Sequence, residues 1–118
     1  LAAAFGPGSR AEVPLAGVVG DQVIAGQVDR LVVGEDEVLV IDYKTERAPP
    51  ATPERVPAAY LRQMAAYAAL LRQIYPERRV RCALLWTQGP RLMPLDEAAL
   101  ASHALQTWQP RAGGAAEG

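Results

Sequence analysis

The feature that most constrains this chain is a run of three β-rich segments within residues 11–45, joined by very short connections. The first, AEVPLAGVV, ends at Gly20-Asp21, a pair typical of two-residue hairpin turns. The second, QVIAGQVDRLVV, is rich in β-branched residues, and the polar loop GEDE separates it from the third, VLVIDYKT. Because such short loops join only neighbouring antiparallel strands, the pattern predicts a three-stranded meander.

The rest of the chain predicts a helix and further strands. Residues 46–57 are Pro-rich and indicate a loop. Pro57 suits the first turn of a helix and Pro76 ends one, while Asp96 suits an N-cap. The predicted elements are a helix over residues 58–75, a buried strand over 80–87, a short return strand over 91–95 and a last helix over about 97–107. We therefore expect an α/β (α+β) fold, with a central mixed sheet flanked by helices.

Composition limits the classes of function. The length of 118 residues suits one small domain, for which we expect residues 1–108, with a disordered tail over 109–118. The net charge of −1 gives no basic signature, so nucleic-acid binding would need a local patch or metal ions. The single cysteine, Cys82, excludes an Fe–S cluster or an intramolecular disulfide built from this chain, and it fits a small buried side chain in a reducing cytoplasm. No apolar run is long enough to span a membrane.

The third β-rich segment carries a candidate site. Side chains alternate along a strand, so Asp42 and Lys44 share one face and Tyr43 takes the other. If Val33 and Val38 pair across the polar loop, Asp29 lies directly opposite Asp42. The predicted site therefore has two facing carboxylates beside an ammonium group.

A third carboxylate depends on the first hairpin. If Gly20-Asp21 is a two-residue turn, Glu12 lies opposite Asp29, and three carboxylates form a row that a bridging cation would stabilise. Pro14 then has to lie on an edge strand, a bulge can fall at Gly17 or Gly26, and a slip of one residue would send Glu12 to the other face. The pair of aspartates is the safer part of this prediction.

This donor set predicts a metal-dependent hydrolase. Oxygen ligands without Cys or His favour Mg²⁺, Mn²⁺ or Ca²⁺ over zinc. Such an ion supplies a Lewis acid and lowers the pKa of bound water, and Lys44 can orient or deprotonate that water or stabilise charge on a phosphate. The only histidine, His103, lies in the predicted last helix, so no Ser/His/Asp or Cys/His arrangement competes.

The residues resemble those of a known family. The segment GQVDRLVVGEDEVLVIDYKT, followed by QMAAY, is similar to the RecB-type branch of the PD-(D/E)XK nucleases, and closest to the C-terminal nuclease domains of AddA-type helicase–nuclease subunits. The likeness covers roughly residues 1–90. Its specific elements are G-x-x-D-R from Gly26, D-Y-K-T from Asp42 and Q-x-x-x-Y from Gln63. It implies a restriction-endonuclease-like core.

The resemblance also implies roles for particular residues. Asp29 and Asp42 would bind metal, Lys44 would assist the water, and Glu12 would complete the catalytic set. Gln63 and Tyr67 are four residues apart on one helical face, and would lie beside the site and face DNA. Further candidates for DNA binding or for support of the site are Arg30 and Thr45.

The implied function is a Mg²⁺-dependent exonuclease, with Mn²⁺ as an alternative metal, acting on a DNA single strand delivered by a helicase. The implied partner is an AddB-type subunit in double-strand break repair and recombination. Family members carry a histidine on a helix upstream of the first strand, and this chain begins too late to include it. We therefore expect residues 1–108 to form a partial nuclease domain, whose activity in isolation is open.

Other interpretations remain open from the sequence. The chain can be an inactive nuclease fold that serves as a DNA-binding or subunit-docking scaffold, or a stand-alone recombination or phage-type nuclease. Asp29 and Asp42 can be ordinary strand-end residues, and Tyr67 can be core. An arginine cluster can meet phosphates or form a solvated helix end; its members are Arg72, Arg78, Arg79 and Arg81. Trp86 suits the core, and Trp108 can pack on this domain or on a larger parent protein.

Overall fold

The computed structural model describes residues 8–46, 50–88 and 90–102, which form one sheet, two α-helices and a short 3₁₀ turn. In chain order the elements are β1 (Ser9–Val19), β2 (Gln22–Val33), β3 (Glu37–Lys44), the 3₁₀ turn (Pro53–Arg55), α1 (Ala58–Ile74), β4 (Arg79–Trp86), β5 (Arg91–Leu95) and α2 (Glu97–Ala101). The strands lie in the order β1-β2-β3-β4-β5. β1, β2 and β3 form the predicted antiparallel meander, β3 and β4 are parallel, and β4 and β5 are antiparallel. The predicted α/β (α+β) mixed sheet is confirmed.

The register of the meander is also as predicted. Val33 pairs with Val38 across the polar loop, and Val19 pairs with Gln22 across the Gly20-Asp21 turn. Gly20 has a φ of +62°, a conformation that glycine adopts without the steric cost a side chain would bring. The turns therefore fix which residues face one another along the sheet.

Helix α1 covers one face of the sheet. Its predicted apolar stripe is buried, with Leu61, Met64, Ala68 and Leu71 all packed into the core. Gly17 of β1 allows this close approach, because a Cβ there would lie 2.5 Å from Leu70 Cδ1. The role of this glycine is thus to admit a helix side chain. Gly17 and Gly26, named above as places where a bulge can fall, both pair in one unbroken register and carry none.

The last helix is shorter than predicted. Asp96 caps it as expected, since its Oδ1 accepts a hydrogen bond of 3.0 Å from the Ala99 amide. The helix ends at Ala101 rather than near residue 107, and the Ser102 hydroxyl donates to the Ala99 carbonyl at 2.8 Å. The predicted positions of His103 and Trp108, and the predicted tail over 109–118, lie outside the described residues.

Several single-residue predictions concern burial. Trp86 and Cys82 are both buried in the core beneath α1, as expected. The opposite face of the sheet carries a second, smaller apolar cluster around Ile41 and Ala83. Within the described ranges, no helix is long and apolar enough to cross a membrane.

Candidate metal centre

The candidate site lies where the ladder between β2 and β3 stops. Backbone pairing runs from Val33 and Val38 to Arg30 and Ile41. Beyond this last pair, the Tyr43 amide donates to Asp29 Oδ2 at 2.7 Å instead of to a backbone carbonyl. The carboxylate of Asp29 thus takes the place of a backbone acceptor and fixes Asp29 beside the strand that carries Asp42.

An interruption in the alternation of side chains between the two faces of β1 and β2 gives Asp29 this position. β1 and β2 pair with one register on both sides of Glu12 and Asp29, yet these two residues do not themselves pair. Val28 packs in the core under α1, whereas Arg30, two residues on, bonds to Tyr43 on the opposite face. A regular strand would place both on one face. Glu12 has a φ of +56°, a conformation uncommon outside glycine, and it marks the interruption in β1.

Asp42 is the one buried charged side chain among the described residues, with 8% of its surface exposed. Its Oδ2 lies 2.7 Å from Lys44 Nζ, as expected for two side chains on the same strand face. Burial, followed by a hydrogen bond with the Asp29 carboxyl group, raises the pKa of Asp42 above its ordinary value, while Lys44 acts in the opposite direction. The net direction means that Lys44 does not fully offset the effects of burial and of the adjoining Asp29 on Asp42.

These residues fit a hard divalent cation. Two carboxylates that disfavour each other's charge are stabilised when a cation binds between them. Among the residues that the structure describes, no group of three or more His, Cys, Asp or Glu side chains is arranged to hold a metal. Two carboxylates suit Mg²⁺, which usually retains several waters and binds proteins through one or two carboxylates.

Lys44 is held from a second side by Tyr60, a residue that is not part of the predicted site. Its Nζ lies 3.7 Å from the centroid of the Tyr60 ring, and only 13% of the Lys44 side chain is exposed. The Tyr60 hydroxyl in turn donates to Glu46. This hydrogen bond lowers the pKa of Glu46 and raises that of Tyr60. The sequence spacing could have identified Tyr60, because it lies three residues before Gln63 and seven before Tyr67, on the same face of the helix.

Tyr67 is both a core residue and a neighbour of the carboxylates. It is 3% exposed, and burial, followed by the charge of Asp42, raises the pKa of its hydroxyl. The Gln63 side chain and the Gln27 backbone donate hydrogen bonds to that hydroxyl, which lower the pKa. Gly26 leaves room for the Tyr67 hydroxyl, since a Cβ at Gly26 would lie 2.2 Å from Tyr67 Oη. The first residue of G-x-x-D-R, Gly26, and the last residue of Q-x-x-x-Y, Tyr67, thus pack against each other.

Three predicted site residues are not brought into this cluster. Glu12 is exposed and unpaired with Asp29 in the sheet, so the predicted row of three carboxylates does not form among the described residues. Arg30 lies on the opposite face, where it donates to Tyr43 Oη at 3.0 Å and to Ser9 Oγ at 2.8 Å. Thr45 is exposed beyond the end of β3. The break in alternation at Glu12 explains the first placement, whereas Arg30 lies on the far face because it pairs there with Ile41 in the regular ladder with β3.

Most of the arginine cluster is occupied by contacts within the chain. Arg78 donates to the Glu35 carbonyl at 3.3 Å, and Arg79 and Arg81 pair with Glu97 and Glu37 at 3.3 and 3.8 Å. Exposed pairs of this kind contribute little stability. Because these arginines already contact groups of the chain, the cluster matches the predicted solvated surface better than a phosphate-binding patch.

Comparison with known proteins places the chain in a family. The family model for the PD-(D/E)XK nuclease superfamily matches residues 3–116. No curated protein matches the sequence. The crystal structure of SSO0001 is similar with a TM-score of 0.47 and 19% identity, over 83% of this chain and 50% of that one, so the chain spans half the length of that protein. The match of the family model over nearly the whole length, with the facing aspartates and adjoining lysine in place, shows that this chain belongs to the PD-(D/E)XK nuclease superfamily.

Proposed function

We propose that this chain is the catalytic module of a Mg²⁺-dependent deoxyribonuclease that hydrolyses phosphodiester bonds, with Mn²⁺ as a substitute metal. The observation that carries the proposal is the buried Asp42, facing Asp29 and bonded to Lys44 at 2.7 Å. Structural aspartates seldom combine burial, a like-charged neighbour and an ammonium partner, whereas catalytic sites do so often. Superfamily membership makes a nuclease the natural use of this arrangement.

Each residue has a distinct part. Asp29 and Asp42 would hold the cation, and Asp29 is fixed in place because its other bond is to the Tyr43 amide. The bound cation would supply Lewis-acid polarisation of the phosphate and a more acidic water. Lys44 presents an ammonium beside Asp42, where it can orient the attacking water and stabilise charge that develops on the phosphate oxygens. Glu12 remains a candidate for this set only through the family resemblance.

The helix beside the site suits a role in substrate binding. Tyr67 is fixed by the core, and Gln63 bonds to its hydroxyl from the half-buried side of α1. The Tyr67 hydroxyl lies near the carboxylates, because burial and then the charges of Asp42 and Asp29 raise its pKa. We propose that Gln63 and Tyr67 line the path of the DNA backbone at the reacting phosphate, with Thr45 at its rim. Arg30 would support the site indirectly, by bracing Tyr43 from the far face.

We further propose that the module works as an exonuclease within an AddA-type helicase–nuclease, together with an AddB-type subunit, in double-strand break repair and recombination. The order of G-x-x-D-R, D-Y-K-T and Q-x-x-x-Y supports this assignment. The charge balance supports it as well. A chain of net charge −1, with three of its clustered arginines in contacts within the chain, is poorly equipped to capture DNA by long-range attraction. Delivery of a single strand by a motor removes that need.

The test is cleavage of single-stranded DNA by the intact protein with Mg²⁺, comparing Asp42→Ala with the wild type. We expect a loss of at least about 100-fold, because even indirect supports of metal ligands cost 10- to 100-fold. Asp36→Ala is the matched control, since Asp36 is an exposed aspartate in the loop between β2 and β3. Undiminished cleavage by Asp42→Ala would overturn the proposal. DNA binding by the wild type without any cleavage would identify the alternative, a nuclease fold that serves as a scaffold.

A further inference from the structure

We propose that Tyr60 is a positioning residue for Lys44: its ring fixes the lysine ammonium against Asp42, and Glu46 fixes the ring. The inference rests on the proposed nuclease function for its consequence in catalysis. Its structural content is independent of that function. It concerns three side chains that follow one another in space, from a carboxylate to a phenol to an ammonium.

The contacts define a directional chain. Lys44 Nζ lies 2.7 Å from Asp42 Oδ2 on one side and 3.7 Å from the centroid of the Tyr60 ring on the other. A cation over the face of an aromatic ring is attracted by the ring quadrupole, most strongly where water is excluded. Because only 13% of the Lys44 side chain is exposed, the contact falls in that stronger regime.

Lysine needs such a support more than other cations do. Its ammonium stands on four flexible carbons, and about 2 kcal/mol of rotamer entropy opposes any single arrangement. Asp42 alone is a poor fixture for this group, because its carboxylate also adjoins Asp29 and is proposed to bind a cation. The ring of Tyr60 offers a contact that does not depend on the charge state or occupancy of Asp42.

Tyr60 is placed to do this from a rigid element. It is the third residue of α1 and packs half-buried against the core, so the backbone and ring are anchored by the helix. Its hydroxyl donates to the exposed Glu46, two residues after Lys44. This hydrogen bond limits the rotation of the side chain and ties the end of β3 to the start of α1.

The chain offers an unusually direct probe, because Lys44 is its only lysine. With ¹³C-labelled lysine, the ε-CH₂ group gives one signal in the NMR spectrum, and a ring facing the ammonium shifts its protons upfield. We expect Tyr60→Leu to move this signal downfield and narrow it towards that of a mobile lysine. Tyr60→Phe should keep the upfield shift, because the ring remains. Glu46→Ala should keep part of the shift and increase the mobility of the ε carbon.

Cleavage kinetics of the intact protein supply the second readout. We expect Tyr60→Leu to lower kcat by about 3- to 30-fold, the range that a cation–π contact corresponds to, with KM changed by less than about twofold. Tyr60→Phe should retain most of kcat. Tyr75→Leu is the matched control, since Tyr75 also packs against the core, at the far end of α1.

The outcomes separate the two proposals. An unchanged lysine signal in Tyr60→Leu, or in Glu46→Ala if the leucine variant does not fold, overturns the positioning role whatever the activity. A shifted signal with kcat equal to the wild type limits Tyr60 to structure and also overturns it. If instead the wild type and Lys44→Ala are equally inactive while the lysine signal responds as expected, the nuclease function fails and the contact stands.

Discussion

Replacing Gly26 by alanine would test the contact that joins the sheet to the helix beside the site. The new Cβ would lie 2.2 Å from Tyr67 Oη, 3.1 Å from Cζ and 3.2 Å from Cε1. No real Cβ tolerates the first distance, so the ring or the strand has to move. Tyr67 is 3% exposed and cannot turn outwards without opening the core.

The size of the effect follows from two opposing contributions. Overpacking a well-packed interior costs about 1–3 kcal/mol. Gly→Ala also reduces the entropy of the unfolded chain, which stabilises by about 0.4–1 kcal/mol where the backbone conformation allows alanine. We therefore expect Gly26→Ala to lower the free energy of unfolding by about 0.5–2.5 kcal/mol, a shift of the urea midpoint on the order of 1 M.

A double-mutant cycle with Tyr67→Phe isolates the contact. Phenylalanine lacks the oxygen that the new Cβ would strike, and the ring carbons at 3.1 and 3.2 Å need to give by only a few tenths of an ångström. The double variant should thus be more stable than the sum of the single effects by about 1 kcal/mol. Gly17→Ala is the control, because the atom it meets is the end of the flexible Leu70 side chain. Urea unfolding followed by circular dichroism gives the free energies of unfolding of the wild type, the two single variants and the double variant. Additivity of the two single effects within about 0.5 kcal/mol would refute the reasoning.

Two further predictions concern titratable groups. Burial raises the pKa of the Cys82 thiol to about 12, so a thiol reagent at pH 8 should react only as urea unfolds the chain, with the same midpoint as circular dichroism; rapid reaction of the native chain would contradict its burial. The pKa of Asp42 is higher in the folded chain than its ordinary value of 3.8, so folding favours the protonated form and the stability from this group is lost as pH rises above about 3.8 towards the raised value. The free energy of unfolding of Asp42→Asn, measured in urea between pH 3.5 and 7, should therefore gain on that of the wild type as pH rises, and a parallel pH dependence would contradict the shift.

The facing aspartates could be predicted because local rules determine them. The Gly20-Asp21 turn and the loop before Val38 fix the two registers, and alternation along β3 places Asp42 and Lys44 together. These are short-range properties of backbone and sequence, and they do not depend on how the helix packs.

The position of Glu12 could not be predicted in the same way. The predicted register around Glu12 and Asp29 is correct, but the side chains of the two strands do not alternate between faces without interruption. At this point the side chains of both strands switch faces while the register of the pairing stays unchanged. Glu12 has a φ of +56° there. A non-glycine residue in this conformation has no sequence signature, because surrounding contacts hold it there.

The support around Lys44 also lies beyond sequence reasoning of this kind. Tyr60 and Glu46 meet because the Pro-rich connection returns the start of α1 to the end of β3. The path of such a loop depends on tertiary packing, which no local pattern encodes. Helical spacing from Gln63 and Tyr67 could have nominated Tyr60, but not its partner.

The most direct test of the account is divalent-cation binding by the chain, followed by the loss of the Mn²⁺ electron paramagnetic resonance signal. Wild-type chain should bind Mn²⁺ in competition with Mg²⁺, and Asp29→Asn with Asp42→Asn should weaken binding by at least about tenfold each. Asp36→Asn, an exposed loop position, should bind as the wild type does. Equal binding by the wild type and the Asp29→Asn/Asp42→Asn double variant would contradict the claim that these two carboxylates hold the metal.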